Sequence, residues 1–133
     1  MHWKIRYDTD RNYVHAHQGG RYTLADEASF LNDIFNSPHW LSGTPLVVSI
    51  CLMEMDNVDD SVISVASRMV TLLNERLGKA RFALVCDDDE KLAVGRKWQS
   101  LVAPHLDAEV RVFSDENAAV DWATESSLAQ VVD

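Results

Sequence analysis

A chain of 133 residues with 47% hydrophobic and 25% charged side chains is long enough for one domain with a single apolar core and too short for two. Its formal net charge of -9 opposes sizeable contact with nucleic acid phosphates or anionic membranes. No apolar run approaches the ~20 residues that span a bilayer, so we expect no membrane insertion. The cysteines each end an apolar run and the first residues contain no apolar signal region, so we expect reduced thiols and a cytoplasmic location.

The chain opens with a predicted hairpin. Residues 2–8, HWKIRYD, and 13–18, YVHAHQ, alternate apolar and polar side chains on either side of a polar turn. The pair Gly19 and Gly20 is expected to end the second strand. A helix follows, with Thr23 as its expected N-cap and apolar residues at spacings of four and three.

Three further strands alternate with three helices in the rest of the chain. The strands are predicted at 45–53, 80–86 and 108–113, and the helices at about 60–77, 87–105 and 114–123. The order β-β-α-β-α-β-α-β-α predicts an α/β domain with a mixed, mainly parallel sheet of about five strands flanked by helices. We expect a single domain over residues 1–125 and a C-terminal tail over 126–133.

Three segments of this pattern resemble SpoIIAA-like (STAS-type) domains. They are GGRYTLADEASFLNDI at 19–34, RFALVCDDDEKLAVGRKW at 81–98 and EVRVFSDENAAVDWA at 109–123. The resemblance rests on the hydrophobic pattern and the helix starts rather than on a catalytic signature. It implies a SpoIIAA-like fold and a role like that of anti-sigma-factor antagonists, which bind a partner kinase and are switched by phosphorylation of a serine. That serine opens the helix after the third strand, and Asp60-Ser61 stand at the corresponding place.

The most charged stretch in the apolar middle of the chain is MDNVDDSVIS, residues 55–64. It is interpreted first as a helix start, because acidic side chains near a helix N-terminus contribute ~0.3–1 kcal/mol each through the helix dipole. Asp60 or Ser61 is the expected N-cap. Its second interpretation is a contact surface for a basic partner protein. The surface residues predicted on this basis are Asp56, Asp59, Asp60, Ser61 and Ser64.

The sequence leaves two questions about this surface open. Met53 and Met55 either add adaptable apolar contacts beside the acids or belong to the core. Ser61 is the candidate phosphoacceptor of a third interpretation, a phosphorylation switch. The helix dipole stabilises a phosphoserine at this place, whereas the neighbouring Asp59 and Asp60 repel its added charge.

Metal binding is the alternative interpretation of the acidic residues. An EF-hand beginning at Asp56 needs glycine at its sixth position and glutamate at its twelfth, where this chain has Ser61 and Ser67. Acidic loops follow all three predicted parallel strands, and convergence of these loops would permit a Mg²⁺ or Ca²⁺ site. Each of these loops also precedes a helix, and acidic side chains near a helix N-terminus stabilise it. Capping therefore accounts for the same acidic residues, so we favour capping and assign no metal ligands.

His15 and His17 are two residues apart on a predicted strand, so their side chains point to the same face as Tyr13. Two imidazoles at this spacing bind Zn²⁺ when a third ligand comes from elsewhere in the chain. The sequence names no such ligand. We therefore favour an exposed or rim pair of histidines on an edge hairpin.

The sequence contains no G-x-S-x-G, G-x-G-x-x-G or Walker motif, and we assign no catalytic residue and no cofactor. The favoured function is a non-catalytic regulatory or protein-interaction domain, with a protein partner and with homodimer formation permitted but not required. One alternative is a small-ligand or lipid-binding domain, which needs a large apolar cavity between helix and sheet. The other is a divalent-metal-dependent enzyme that uses the acidic loops.

Overall fold

One five-stranded sheet organises the chain in a computed structural model, which describes the backbone of residues 1–132 and the side chains of residues 1–125. The strands and helices are β1 (His2–Asp8), β2 (Tyr13–Arg21), α1 (Leu24–Phe35), β3 (Leu46–Glu54), α2 (Asp60–Thr71), α3 (Asn74–Leu77), β4 (Arg81–Val85), α4 (Asp89–Val102), a 3₁₀ turn (Ala103–His105), β5 (Glu109–Phe113) and α5 (Glu116–Val132). The strands lie in the order in which they occur in the chain. β1 pairs antiparallel with β2, and the remaining pairs are parallel. The predicted fold class is confirmed.

Helices cover the two faces of the sheet unequally. The front face, which carries Ala16, Val48 and Leu84, packs with α1, α2 and α4 in the main core. The back face, which carries Val47 and Val85, packs with α5 in a smaller core. α5 lies over β3, β4 and β5. The part of the back face formed by β1 and β2 therefore has much less helical cover.

This part of the back face carries polar side chains. Arg6 on β1 pairs with His15 on β2, and Lys4 pairs with His17. Directly opposed residues in an antiparallel pair share a face, so all four side chains belong to the back face. Lys4, Arg6 and His17 are exposed, whereas His15 is buried. We call this region, formed by these four residues, the open back face.

Predicted boundaries were wrong in the second strand, in the helix predicted over 60–77 and in the last helix, which was predicted over 114–123 and extends over Glu116–Val132. Gly19 and Gly20 do not end the second strand, because β2 continues to Arg21 with an irregular register beside β3. Gly19 lies beneath the His2 ring, where an added Cβ atom would be 2.5 Å from His2 Cε1. The absence of a side chain at Gly19 thus leaves room for the His2 ring beside β2.

The helix predicted over 60–77 is also interrupted. α2 ends at Thr71, because the Leu73 N–H bonds to the Val70 carbonyl in a tighter turn. The Asn74 side chain then accepts a hydrogen bond from the backbone N–H of Asp107, which holds α3 to the loop before β5. α3 ends before Gly78, whose φ of 69° is in the left-handed region.

Two expectations concern the membrane and the C-terminus. None of the helices that the structure describes combines the length and the apolar character needed to cross a bilayer. The tail predicted for 126–133 lies outside the residues whose side chains are described, so it stays a prediction.

Candidate functional site

The start of α2 is built as a capped helix end. The Asp59 carboxylate accepts a hydrogen bond of 2.9 Å from the Val62 N–H, so Asp59 is the N-cap. The prediction of Asp60 or Ser61 as the cap was therefore wrong. Asp60 instead forms an ion pair with Lys97 of α4. The Thr23 cap predicted for α1 is confirmed, since its hydroxyl accepts from the Asp26 N–H at 3.1 Å.

The predicted contact surface is accessible at most of its positions. Asp56, Asp59, Asp60 and Ser61 are exposed, and Ser64 is partly buried. Met53 and Met55 are buried and belong to the main core, which settles the question that the sequence left open.

Other apolar residues take the place of the methionines on this surface. Val65 is 39% exposed and Leu72 at the end of α2 is 85% exposed. Together with Ser61 and Arg68 they occupy positions i, i+4, i+7 and i+11, which form one exposed stripe along the helix. We call these four residues the α2 stripe. Sequence reasoning missed it because the exposed and the inward apolar residues of α2 are chemically alike.

The acidic loop after β4 lies beside a lysine of α4, Lys91. Lys91 Nζ lies 2.9 Å from Asp88 Oδ2 and 3.5 Å from Asp87 Oδ1, and it donates to the Cys51 carbonyl at 2.8 Å. The hydrogen bond to Asp88 raises the pKa of Lys91 above its usual value. The hydrogen bond from the Lys91 backbone N–H lowers the pKa of Asp88. The Lys91 ammonium group thus neutralises part of the negative charge of Asp87 and Asp88, which the sequence analysis considered as part of a metal site.

A group of metal-ligand side chains does occur on the back face. Among the described side chains, the set of three that lie close enough to share an ion is His15, His17 and Glu116, with their ligand atoms all within 4.8 Å of one another. His15 Nε2 lies 2.9 Å from Glu116 Oε1, and His17 Nδ1 lies 3.6 Å from the same oxygen. The two imidazole rings stack with 4.7 Å between their centroids. We call these three residues the histidine cluster.

The surroundings of His15 fix its ring. The side chain is 8% exposed, and its Nδ1 atom lies 3.1 Å from the Tyr13 hydroxyl and 3.4 Å from Arg6 Nη2. Burial lowers the pKa of His15, and the hydrogen bond to Glu116 partly offsets this effect. The Tyr13 hydroxyl can donate or accept, so it satisfies Nδ1 in either neutral tautomer.

The sequence predicted only part of this cluster. The hairpin of β1 and β2 does form one edge of the sheet and His17 is half-exposed, as expected, but His15 is buried. Glu116 was not recognised as a partner, because it follows His15 by 101 residues. The only signal for Glu116 is topological. Glu116 directly follows β5, and the carboxyl ends of the parallel strands, including the part of β2 that carries His17, lie at the same end of the sheet.

A cavity lies on the front face between the sheet and the helices α2 and α4. Its volume is about 80 Å³, and Gln18, Tyr22 and Glu27 line one end of it. Gln18 Nε2 donates to Glu27 Oε2 at 3.2 Å, and burial raises the pKa of Glu27 to about 7. Pockets for small molecules commonly measure about 300–1,000 Å³. The cavity is smaller than the ligand-binding alternative requires, and that alternative stays a prediction.

The five-stranded mixed sheet and the helices on both of its faces define an α/β domain. Neither the protein-family models nor the curated proteins include a match to this chain. The chain is similar to a solved structure described as an uncharacterized protein from the DUF3478 family with a SpoIIAA-like fold, from Shewanella loihica PV-4. The likeness has a TM-score of 0.60 at 16% sequence identity and covers 92% of each chain. It confirms the fold that the sequence resemblance implied.

Proposed function

We propose that this domain is a non-catalytic regulatory module that binds a partner protein through the start of α2. The observation that carries the proposal is the α2 stripe, which places exposed Val65 and Leu72 in line with Ser61. Exposed apolar side chains that follow one face of a helix are typical of the apolar part of a protein contact.

The charges beside the stripe indicate the chemistry of the partner. Asp56, Asp59 and Asp60 are exposed at the end of the stripe where Ser61 lies. The formal net charge of the chain, -9, has the same sign and extends the attraction beyond the contact. A partner fits this arrangement if it has an apolar centre, a basic surface opposite the three aspartates and a hydrogen-bond acceptor for Arg68, the basic member of the stripe.

Ser61 is proposed as the phosphoacceptor of this module. It is exposed in the first turn of α2, where a kinase can reach its hydroxyl. The ion pair between Asp60 and Lys97 reduces the repulsion that a phosphate would meet. The role agrees with the resemblance to anti-sigma-factor antagonists, in which a serine at this place is the switch.

The proposal is tested by affinity capture from a lysate of the native cells, with bound proteins identified by mass. The baits are wild type, Val65→Asp and Ser61→Asp. Ser29→Asp, at an exposed position of α1, is the matched control. We expect a partner that wild type and the Ser29 variant retain equally and that Val65→Asp loses by about tenfold or more, a change worth about 1.4 kcal/mol.

The two substitutions on α2 separate binding from switching. Loss of the partner in Ser61→Asp supports the switch, whereas equal retention by wild type and Ser61→Asp removes the switch and keeps the contact. Equal retention by wild type and Val65→Asp contradicts the α2 surface. A wild-type bait that captures no protein contradicts the partner-binding function in these cells.

A further inference from the structure

We propose that the histidine cluster is a binding site for a Zn²⁺ ion, with His15, His17 and Glu116 as its three protein ligands. The inference is independent of partner binding at α2, since the cluster lies on the opposite face of the sheet. It rests on the geometry, the rigidity and the chemical type of the three side chains.

The spacing of the ligand atoms suits tetrahedral zinc. Bonds of about 2.0–2.2 Å at tetrahedral angles place neighbouring ligand atoms about 3.3 Å apart. The distances from Glu116 Oε1 are 2.9 Å to His15 Nε2 and 3.6 Å to His17 Nδ1, on either side of that value. The third pair, from the two histidines, lies within 4.8 Å, and the rings stack at an interplanar angle of 17°. Binding therefore requires the exposed His17 ring and the Glu116 side chain to rotate toward the ion.

The backbone and the outer partners hold the ligands in place. β2 is an internal strand, bonded to β1 and β3, so the two histidines project from fixed positions. The Tyr13 hydroxyl, 3.1 Å from His15 Nδ1, can accept a hydrogen bond from Nδ1–H while Nε2 faces the ion. Such an outer hydrogen bond accompanies nearly all histidine ligands and fixes their tautomer. Glu116 lies in the first turn of α5, where the helix determines its direction.

Three positive charges oppose a cation here. Lys4 and Arg6 share the open back face, and the N-terminus of α5 carries a partial positive charge. Arg6 Nη2 lies 3.4 Å from His15 Nδ1, on the side of the ring away from Glu116, and Arg6 Nη1 bonds to Asp8 at 3.2 Å. The long side chains of Lys4 and Arg6 can extend into solvent. The Glu116 carboxylate supplies a full negative charge in contact with the ion. This charge and the direct coordination bonds act against the repulsion from Lys4, Arg6 and the helix N-terminus.

The ligand types select the ion. Two imidazole nitrogens and one carboxylate are a common zinc set, whereas Mg²⁺ and Ca²⁺ prefer oxygen ligands throughout. Three protein ligands leave a fourth position, which faces solvent because His17 and Glu116 are half-exposed. A water molecule or a small anion fits this position, and the neighbouring Lys4 and Arg6 favour an anion.

The test is titration calorimetry with ZnCl₂ on the full chain after removal of metal ions by a chelator. We expect one Zn²⁺ per wild-type chain and no binding of Mg²⁺ or Ca²⁺ in parallel titrations. Co²⁺ added in place of Zn²⁺ is expected to give the visible absorption of a site with nitrogen and oxygen ligands. Circular dichroism of each variant establishes that it is folded.

Two ligand variants and one control locate the ion. His17→Ala and Glu116→Gln are expected to weaken Zn²⁺ binding by about 100-fold or more, since loss of an outer partner alone costs about 10–100-fold. His105→Ala removes an exposed histidine from the turn after α4 and is expected to leave the affinity unchanged. The proposal is overturned if wild type binds no Zn²⁺, or if both ligand variants bind it as tightly as wild type.

Discussion

The two faces of the sheet differ in how completely helices cover them. On the front face, α1, α2 and α4 enclose an almost entirely apolar core. On the back face, α5 covers β3, β4 and β5, and polar side chains occupy the open back face beyond it. The difference teaches that the larger share of the apolar core, and of the stability that its burial provides, lies on the front face. The open back face is where coordinating side chains are held in place and still reach solvent.

Burial nevertheless affects titratable groups on both faces, and Glu27 and His15 are examples. On the front face, burial raises the pKa of Glu27 to about 7, because the charged carboxylate loses its hydration. On the back face, burial lowers the pKa of His15, because the charged imidazolium loses its hydration. The directions are opposite, but both changes favour the neutral form of the side chain.

The largest expected effect tests the front face as the source of stability. Phe30 on α1 is 1% exposed and packs edge-to-face with Trp3. Phe30→Ala is expected to lower the free energy of unfolding by about 3–5 kcal/mol, because it leaves a cavity in the main core. Leu52→Ala is the control, since Leu52 is 72% exposed, and we expect a change within about 0.5 kcal/mol. Urea unfolding of both variants measures the difference, and equal losses would contradict the comparison of the two faces.

Local signals explain why the fold was predictable. The apolar run of β3 and the acidic start of each helix can be recognised from a few neighbouring residues. The choice of Asp59 over Asp60 as the cap of α2 cannot be recognised in this way, because consecutive aspartates have the same capping preference. The predicted contact residues were located on the surface, but the exposure of Val65 depends on how α2 packs against α1 and α4.

The histidine cluster was less accessible to sequence reasoning. The spacing of His15 and His17 identified two side chains on one face of a strand. Their contact with Glu116 depends on the path of the chain from β5 into α5, which no pattern of neighbouring residues determines. The identity of the third side chain is thus a property of the tertiary structure.

The next effect concerns the charge of the Glu27 carboxylate on the front face. Glu27 has a pKa of about 7 when folded and an ordinary value of 4.5. Between these values the folded state holds a proton that the unfolded state has lost, so the free energy of unfolding falls as pH rises from about 4.5 to 7. Glu27→Gln removes this loss, and its advantage over wild type is expected to grow to at most about 3 kcal/mol at pH 8.

Thermal unfolding of wild type and Glu27→Gln at pH 5 and pH 8 measures this effect. The neutral amide preserves the size of the side chain and a hydrogen-bonding group for Gln18. We expect similar melting temperatures at pH 5 and a higher one for Glu27→Gln at pH 8. Melting temperatures that differ by the same amount at both values would show that Glu27 does not titrate between them.

A smaller effect distinguishes the cap of α2 from the residues beside it. Asp59→Ala removes the acceptor of the Val62 N–H and is expected to cost about 1 kcal/mol of stability. Ser61→Ala is the matched control, because Ser61 is exposed and lies beyond the cap. Its effect is expected to be within about 0.5 kcal/mol. Denaturant unfolding of both variants checks the assignment, which a larger loss in Ser61→Ala would reverse.

The smallest effect is expected on the open back face. His17→Ala, measured with a chelator present, should change the free energy of unfolding by less than about 0.5 kcal/mol, because its side chain is half-exposed. Its main loss is the stacking contact with the His15 ring. With Zn²⁺ in excess, wild type should gain stability by mass action and His17→Ala should gain much less. A large loss of unfolding free energy in His17→Ala with chelator present would instead assign His17 to the structural core. The open back face would then contribute to stability as the front face does.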